Sequence, residues 1–277
     1  MHLISLKEVS KKYDNRKILN KISLDFDLGE FVVILGKSGV GKSTLLNILD
    51  YSLNVDGGKV LFQNKELKRK EINKIKNKYI RKVYQNHNLI PYYTIYENLM
   101  LPKIISNGEK DEIDKFISYF GLDDLKGKYP DQISGGEKQR ISIIRALLDN
   151  PMIILADEPT GSLDEQNRIK VLDLLKKNKE GKLIILVTHN KEIASKYADR
   201  IIEINEDGSV CDSESKAKET NFELEITKKE ESNIKDMFLL NIKSLKKKNK
   251  QGCVFMCFNF SNNNNVIGFC WSKKRNK

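Results

Sequence analysis

The sequence contains no run of apolar residues long enough to form a membrane-spanning helix. Such a helix needs about 18 or more apolar residues in succession, whereas runs such as residues 183–187 have the length of a single strand. Residues 1–13 mix charged with apolar residues, which is not the pattern of a signal peptide. We therefore expect any membrane-spanning part of the system to belong to a partner protein.

Cysteine is also scarce, and its placement does not predict a metal site. The four cysteines are Cys211, Cys253, Cys257 and Cys270. None lies in a paired spacing suited to zinc, so free thiols are the better interpretation. Free thiols are compatible with a reducing cytosol.

Positive charge is abundant but unevenly distributed. The chain of 277 residues has a formal net charge of +11, which raises the question of nucleic acid or an anionic membrane surface as a partner. Residues 234–277 contain ten Lys or Arg and one acid, Asp236, so +9 of the +11 lies there. Because the remaining chain is nearly balanced, we expect no nucleic-acid partner.

Short apolar runs alternate with helical patterns over most of the chain. The runs of strand length are residues 23–28, 31–35, 59–63, 80–84, 152–156, 183–187 and 201–204. Helical apolar spacing lies between several of them, as in residues 42–50 and 165–177. This alternation predicts an α/β fold. Residues 94–148 show helical periodicity and no convincing strand, which predicts a helical insert.

The composition changes near the C-terminal end. Residues 212–233 are dominated by Glu, Lys, Ser and Thr and predict a polar linker. Residues 234–250 combine apolar residues at helical spacing with a lysine run, which predicts an amphipathic basic segment. Residues 251–277 show no period, and we expect no stable structure there.

A phosphate-binding loop follows the strand predicted at residues 31–35. The residues that fit G-x-x-x-x-G-K-[ST] are Gly36, Lys37, Ser38, Gly39, Val40, Gly41, Lys42 and Ser43, with Thr44 next in the following helix. Glycines let backbone N–H groups approach a triphosphate, and the helix N-terminus adds a favourable dipole. Lys42 supplies a charge to the β and γ phosphates, and the Ser43 hydroxyl is a ligand for Mg²⁺. A functionless glycine-rich turn is the alternative, which the flanking strand and helix disfavour.

Polar side chains also follow two other predicted strands. Asp157 and Glu158 end the run at residues 152–156, at the sheet edge that holds the phosphate-binding loop. We expect Asp157 to bind Mg²⁺ and Glu158 to orient or activate the attacking water. Such acids on their own also occur at ordinary helix caps and turns. His189 follows residues 183–187, within reach of a γ-phosphate; because a lone histidine there is usually structural, its catalytic role depends on the other motifs.

A serine and two glycines precede a third helical pattern. The segment begins with Ser134, Gly135, Gly136 and Glu137 and continues through Arg140. Exposed N–H groups at a helix start form an anion site, and a simple serine-capped helix is the alternative. The order and spacing of these residues resemble the signature of ABC ATPases. In that family, the signature donors bind the γ-phosphate held by the other subunit of a dimer.

The resemblance to ABC ATPases covers residues 1–208. It implies a P-loop NTPase core with a predominantly helical subdomain near residues 94–148 and a small antiparallel β part, all within an ATPase domain of residues 1–211. ATP and Mg²⁺ are the implied cofactors. The further site residues that it implies are Tyr13 for adenine stacking, Gln85 for contact with Mg²⁺ and coupling to transport, Asp164 in the loop that crosses the dimer interface, and His189 as the switch histidine. Ile133 and Glu137 replace the usual leucine and glutamine, and neither change removes a needed donor or charge.

Residues 89–91, 94–98 and 157–164 are most similar to one branch of this family. That branch serves lipoprotein release, macrolide efflux and antimicrobial-peptide export or resistance, and some members carry the ATPase ahead of a fused permease. Residues 237–250 resemble the start of such a permease, and the pattern ends after them. We therefore expect a truncated or frame-shifted form of a fused protein.

The resemblance implies an ATPase that works as a homodimer or as an ABC heterodimer. ATP closes the dimer, hydrolysis reopens it, and the movement drives an integral membrane permease at the cytoplasmic face of the cell membrane. An ABC protein that acts on ribosomes or DNA is a second interpretation, which the single unsplit set of motifs disfavours. An inactive fragment that binds nucleotide without its permease is a third.

Overall fold

The structure, a computed structural model, describes residues 2–14, 16–84, 87–106 and 111–213. The strands are β1 Ile4–Tyr13, β2 Arg16–Phe26, β3 Phe31–Leu35, β4 Gly57–Phe62, β5 Lys65–Glu66, β6 Ile80–Val83, β7 Ile153–Asp157, β8 Leu183–Val187, β9 Arg200–Ile204 and β10 Val210–Asp212. The helices are α1 Lys42–Leu49, α2 Arg69–Tyr79, α3 Ile95–Ser106, α4 Asp111–Tyr119, α5 Gly135–Leu147, α6 Glu165–Lys177 and α7 Lys191–Tyr197. This mixture confirms the predicted α/β class.

The central sheet has six strands in the order β10-β9-β3-β8-β7-β6. All neighbours are parallel except β10 and β9. Strands β3 and β8 are buried along their whole length, because helices cover both faces of such a sheet. The carboxyl ends of β3, β7 and β8 meet at one edge, since Val187 pairs with both Ile34 and Asp157. The register therefore places the phosphate-binding loop, the acids and His189 at the same edge.

A second sheet is antiparallel, with the order β2-β1-β4-β5. It confirms the small antiparallel β part that the family resemblance implies. Strand β1 was not among the predicted strands, because its residues alternate irregularly between charged and apolar. Its first three residues are buried while several later ones are exposed, because the strand bends through register shifts with β2.

The described part of residues 94–148 contains α3, α4 and α5, two short 3₁₀ turns and no strand. This composition confirms the predominantly helical subdomain. Isoleucines of α4 and α5, with Leu99 of α3, belong to the core cluster that also covers one face of the central sheet. The subdomain therefore shares its apolar core with the sheet that holds the phosphate-binding loop.

Two ion pairs with buried acids fasten helices α1 and α5 to the edge strand β6. Lys82 donates to Asn47 and, at 3.2 Å, to Asp50 at the end of α1. On the same strand, Arg81 Nε donates at 2.5 Å to Asp149, just beyond α5. The side chains of Asp50 and Asp149 are only 4% and 5% exposed, so each charge is compensated by its partner and not by water. The C-terminal ends of both helices thus have defined positions on the sheet.

The folded part extends slightly beyond the predicted domain end at residue 211. Asp212 closes β10, and the Ser213 backbone N–H donates to the Ile201 carbonyl at 2.9 Å. Asp212 therefore belongs to the sheet, and Ser213 is hydrogen-bonded to it. The predictions for residues 214–233, 234–250 and 251–277 lie outside the described residues. Within the described part, no helix is both long and apolar enough to cross a membrane.

Candidate nucleotide-binding site

The loop between β3 and α1 requires glycine at its two ends. Gly36 and Gly41 have φ values of +152° and +118°, which side chains rarely adopt. A Cβ atom on Gly41 would lie 2.6 Å from Ile18 Cγ2, and one on Gly36 would lie 2.8 Å from Val40 Cγ1. Glycine at these two positions thus allows the positive φ values and the close packing of the loop, as the motif predicts.

Lys42 is the buried cation of this loop. Its side chain lies against the backbone, with Nζ donating to the Gly36 carbonyl at 2.8 Å and to the Lys37 carbonyl at 2.7 Å. The residue is 7% exposed, so its charge is held inside the curve of the loop. An ammonium group in this position is placed to bind an anion that enters the loop.

A cleft of about 400 Å³ opens in front of the loop. The residues that line it come from four segments of the chain: Tyr13, Ile18, Ser38, Gly39, Gly41, Lys42, Ser43, Thr44, Asp157 and Glu158. Tyr13 is 47% exposed at the end of β1 and offers a flat aromatic face. Ile18 was not among the predicted residues, because an apolar residue in an alternating strand gives no signal of a site.

Three predicted loop residues do not line this cleft. The Gly36 backbone packs against Val40 and Ile204, and Val40 is buried. The Lys37 ammonium forms an exposed ion pair with Glu206 at 2.6 Å, which raises the pKa of Lys37. The Lys37 side chain therefore contacts the turn before β10, and its predicted role in ATP binding stays a prediction.

Glu158 and His189 are brought together from two strand ends. His189 Nδ1 lies 3.1 Å from Glu158 Oε1. The Glu158 backbone has φ of +44°, in the left-handed region, and its N–H donates to the Val187 carbonyl at 3.0 Å. Strained backbone of this kind is often found where a functional side chain is held in position. The arrangement holds a carboxylate, with a histidine beside it, at the mouth of the cleft.

The donor set of the cleft suits a small hard cation. The Ser43 hydroxyl and the Asp157 carboxylate line the same space, and both offer oxygen ligands. Among the residues that the structure describes, no three His, Cys, Asp or Glu side chains cluster in a way that could hold a metal. One hydroxyl and one carboxylate fit Mg²⁺, which binds few protein ligands together with phosphate oxygens and water. The third predicted ligand, Gln85, lies outside the described residues.

The signature residues form a capping box at the start of α5. The Glu137 carboxylate accepts from the Ser134 backbone N–H and from the Ser134 hydroxyl, both at 2.7 Å, and these bonds lower the pKa of Glu137. Glutamate in place of the usual glutamine is predicted to remove no needed donor or charge, and this stays a prediction. In the structure, the Ser134 backbone N–H and hydroxyl are both present and both donate to the Glu137 carboxylate.

Ser134, Gly135, Gly136 and Glu137 are not among the residues that line the cleft. Asp164 is likewise absent from its lining. Asp164 instead caps α6, where its carboxylate accepts from the Asn167 backbone N–H at 3.0 Å, and that bond lowers the pKa of Asp164. Within one subunit, neither the four signature residues nor Asp164 line the phosphate-binding cleft.

The parallel sheet, the phosphate-binding loop and the acids at the adjacent strand end define a P-loop nucleoside triphosphatase. The sequence model of the ABC transporter family matches residues 19–161, and the chain belongs to this family. It is an ATP-binding subunit and an ATPase of the ABC type, as the motifs predict.

Curated relatives agree with this assignment. The chain is 39% identical over 223 residues to the macrolide export ATP-binding/permease protein MacB of Pasteurella multocida, a match covering 76% of this chain and 34% of MacB. It is 39% identical to the cell division ATP-binding protein FtsE of Bacillus subtilis, covering 77% of this chain and 97% of FtsE. It is 36% identical to the lipoprotein-releasing system ATP-binding protein LolD of Bacteroides fragilis, covering 72% of this chain and 96% of LolD. The chain thus spans about a third of MacB.

Solved structures show the same fold. The ATP-binding cassette MJ0796 in a dimeric post-hydrolysis state, bound to ADP and Pi, is 36% identical with a TM-score of 0.70. That match covers 78% of this chain and 99% of MJ0796. A second dimeric structure of MJ0796 is 37% identical with a TM-score of 0.69. Dimerisation is therefore seen in both of these structures of MJ0796.

Proposed function

We propose that this chain hydrolyses Mg²⁺-ATP at a site shared by two subunits and drives an integral membrane permease. The observation that carries this proposal is the cleft that joins the phosphate-binding loop to Asp157 and Glu158, with His189 at hydrogen-bonding distance from Glu158. In this proposal, one subunit carries the groups that bind ATP and the groups that activate water in a single cleft. Its signature lies elsewhere, so a second subunit completes the site.

Within the cleft, each residue has a separate task. Tyr13 stacks on adenine, Lys42 binds the β and γ phosphates, and Ser43 and Asp157 hold Mg²⁺. When bound, Mg²⁺ neutralises charge on the phosphates. Glu158 orients the attacking water, and His189 holds the Glu158 carboxylate in place and contacts the γ-phosphate. Gln85 completes the Mg²⁺ contacts in this proposal.

The partner subunit contributes the remaining donors. Ser134, Gly135 and Gly136 bind the γ-phosphate across the interface, and Asp164 lies in the loop that crosses it. The dimeric structures of MJ0796 support a two-subunit site. The second subunit is another copy of this chain or a related ABC subunit, and no nucleic acid is required.

The permease partner places the chain at the cytoplasmic face of the cell membrane. We propose an export or lipoprotein-related system, which the similarity to MacB and LolD supports. The chain is also 38% identical to a putative hemin import ATP-binding protein, HrtA of Staphylococcus haemolyticus. The similarity to FtsE supports an alternative, a membrane partner that acts in cell division.

Purification of the tagged full chain from detergent-solubilised membranes, followed by mass spectrometry, tests this function. Recovery of a multi-span permease whose presence raises ATP turnover supports the proposal. Recovery of cell-division membrane proteins supports the FtsE-like alternative. Recovery with ribosomes or DNA, or ATP binding without turnover in any of these complexes, contradicts the proposal.

Glu137→Gln should lower the ATP concentration needed for dimer formation about two- to fivefold. Glutamine preserves the capping box but removes a negative charge beside the donors that meet the partner's γ-phosphate. A glutamate carboxylate is charged at neutral pH, and the bonds from Ser134 lower the pKa of Glu137 further. Gel filtration across an ATP series, in a Glu158→Gln background that blocks turnover, measures the midpoint. A midpoint equal to or above that of Glu158→Gln alone would show that the charge does not oppose closure.

A further inference from the structure

The signature helix and the interface loop are connected through one side-chain amide. Arg140 of α5 donates from Nη1 to Asn167 Oδ1 at 2.8 Å. The Asn167 amide nitrogen donates in turn to Asp164 Oδ2 at 2.6 Å. The amide thus lies between a guanidinium and a carboxylate, and joins α5 to the first residue before α6.

The charges on either side determine the orientation of this amide. Its oxygen faces the cation and its nitrogen faces the anion, so both hydrogen bonds are charge-assisted. Aspartate at position 167 would place two carboxylates against each other. Leucine would accept no bond from Arg140 and donate none to Asp164. The position therefore requires a side chain that accepts on one side and donates on the other.

A second contact joins the same two segments. A Cβ atom on Gly136 would lie 3.2 Å from the Ser162 carbonyl oxygen and 3.7 Å from Leu163 Cδ2, so the second signature glycine packs directly against the loop. Arg140 Nη1 also donates to the Phe120 carbonyl at 3.3 Å, just after α4. We call the chain of bonds from Arg140 through Asn167 to Asp164 the bridge. With the contacts of Gly136 and Phe120, it links the signature helix, the helical subdomain and the loop that carries Asp164.

We propose that Asn167 is a positioning residue that transmits movement of the signature helix to Asp164. This inference rests on the proposed function, in which the signature and Asp164 both act at the interface with the partner. When the signature donors bind the partner's γ-phosphate, α5 shifts with its Arg140 guanidinium. Because the Asn167 amide bonds both charged groups, Asp164 moves with α5 instead of independently of it.

The bonds that form the bridge differ from the bond that caps α6. The helix cap uses the Asn167 backbone N–H, which donates to Asp164 Oδ1 at 3.0 Å. Asn167→Leu keeps that backbone donor and the branching of the side chain at Cγ, while it removes both bonds of the amide. The residue is partly exposed, so no core packing is lost. The neighbouring exposed residue Gln166 on the same helical turn offers a matched control, Gln166→Leu.

Steady-state ATP hydrolysis by the full chain tests the proposal. Asn167→Leu should lower kcat about tenfold, because a misplaced interface loop affects the assembled site. The KM for ATP should stay within about twofold of wild type, because no residue of the binding cleft changes. Gln166→Leu should match wild type in both constants, and thermal melting of both variants should match as well.

Three results would overturn the inference. The first is wild-type kcat in Asn167→Leu, and the second is an equal loss of kcat in Gln166→Leu. The third is a rise in KM with unchanged kcat in Asn167→Leu, since that pattern indicates a change in ATP binding and not in positioning. ATP-dependent dimerisation of Glu158→Gln is measured in parallel. If that variant stays monomeric in ATP, the proposed function fails; if it dimerises while Asn167→Leu turns over normally, only the positioning role fails.

Discussion

Replacing Glu158 by glutamine should lower the rate of ATP hydrolysis by at least about 100-fold, a typical effect of losing a positioned base. The amide cannot accept a proton from the attacking water, and it loses the charge that His189 contacts at 3.1 Å. The phosphate donors of the loop and the Lys42 ammonium remain in place. ATP therefore still binds, and the variant should accumulate as an ATP-bound dimer.

Phosphate release and gel filtration with light scattering measure these two effects on the same sample. Glu180→Gln makes the same chemical change at an exposed position in the turn before β8 and should behave as wild type. Rapid turnover by Glu158→Gln would remove Glu158 from the catalytic role. Loss of turnover without an ATP-bound dimer would contradict the two-subunit site.

Replacing Lys42 by alanine should weaken ATP binding by about 10- to 100-fold, which corresponds to ~1.5–3 kcal/mol for a charge-assisted hydrogen bond. Lys42 is a buried cation that lines the cleft, and it also binds the carbonyls of Gly36 and Lys37. Its loss removes the positive charge at the phosphates and two bonds that hold the shape of the loop. The variant should therefore be impaired in nucleotide binding itself, which precedes hydrolysis.

Calorimetric titration with ATP measures the dissociation constant of this variant. Lys70→Ala removes an exposed lysine on α2 and should leave the dissociation constant unchanged, which controls for the lost net charge. Thermal melting shows whether Lys42→Ala is folded. An affinity within about twofold of wild type, in a folded variant, would refute the assigned role because such a change is below ~0.5 kcal/mol.

The predicted helix at residues 165–177 and the strands at residues 31–35 and 183–187 have the bounds that the structure shows. These segments were predictable because their apolar spacing is regular and their ends carry local signals. Strand β1 was not predictable from its sequence. Its irregular antiparallel pairing with β2 and β4 leaves no regular apolar spacing in its own residues. Ile18 was missed because an apolar residue in a strand gives no signal of a site, although it lines the cleft and packs against Gly41 of the phosphate-binding loop.

The sequence by itself determined the class of chemistry. The phosphate-binding loop, Asp157 with Glu158, and the signature at Ser134 are each defined by residues close together in the chain, where backbone conformation and residue type act locally. Only the tertiary structure decided how these segments meet. It decided the contact of His189 with Glu158, which residues line the cleft, and the bridge from Arg140 through Asn167 to Asp164. Such contacts depend on strand register and on helix packing, which bring together side chains far apart in sequence.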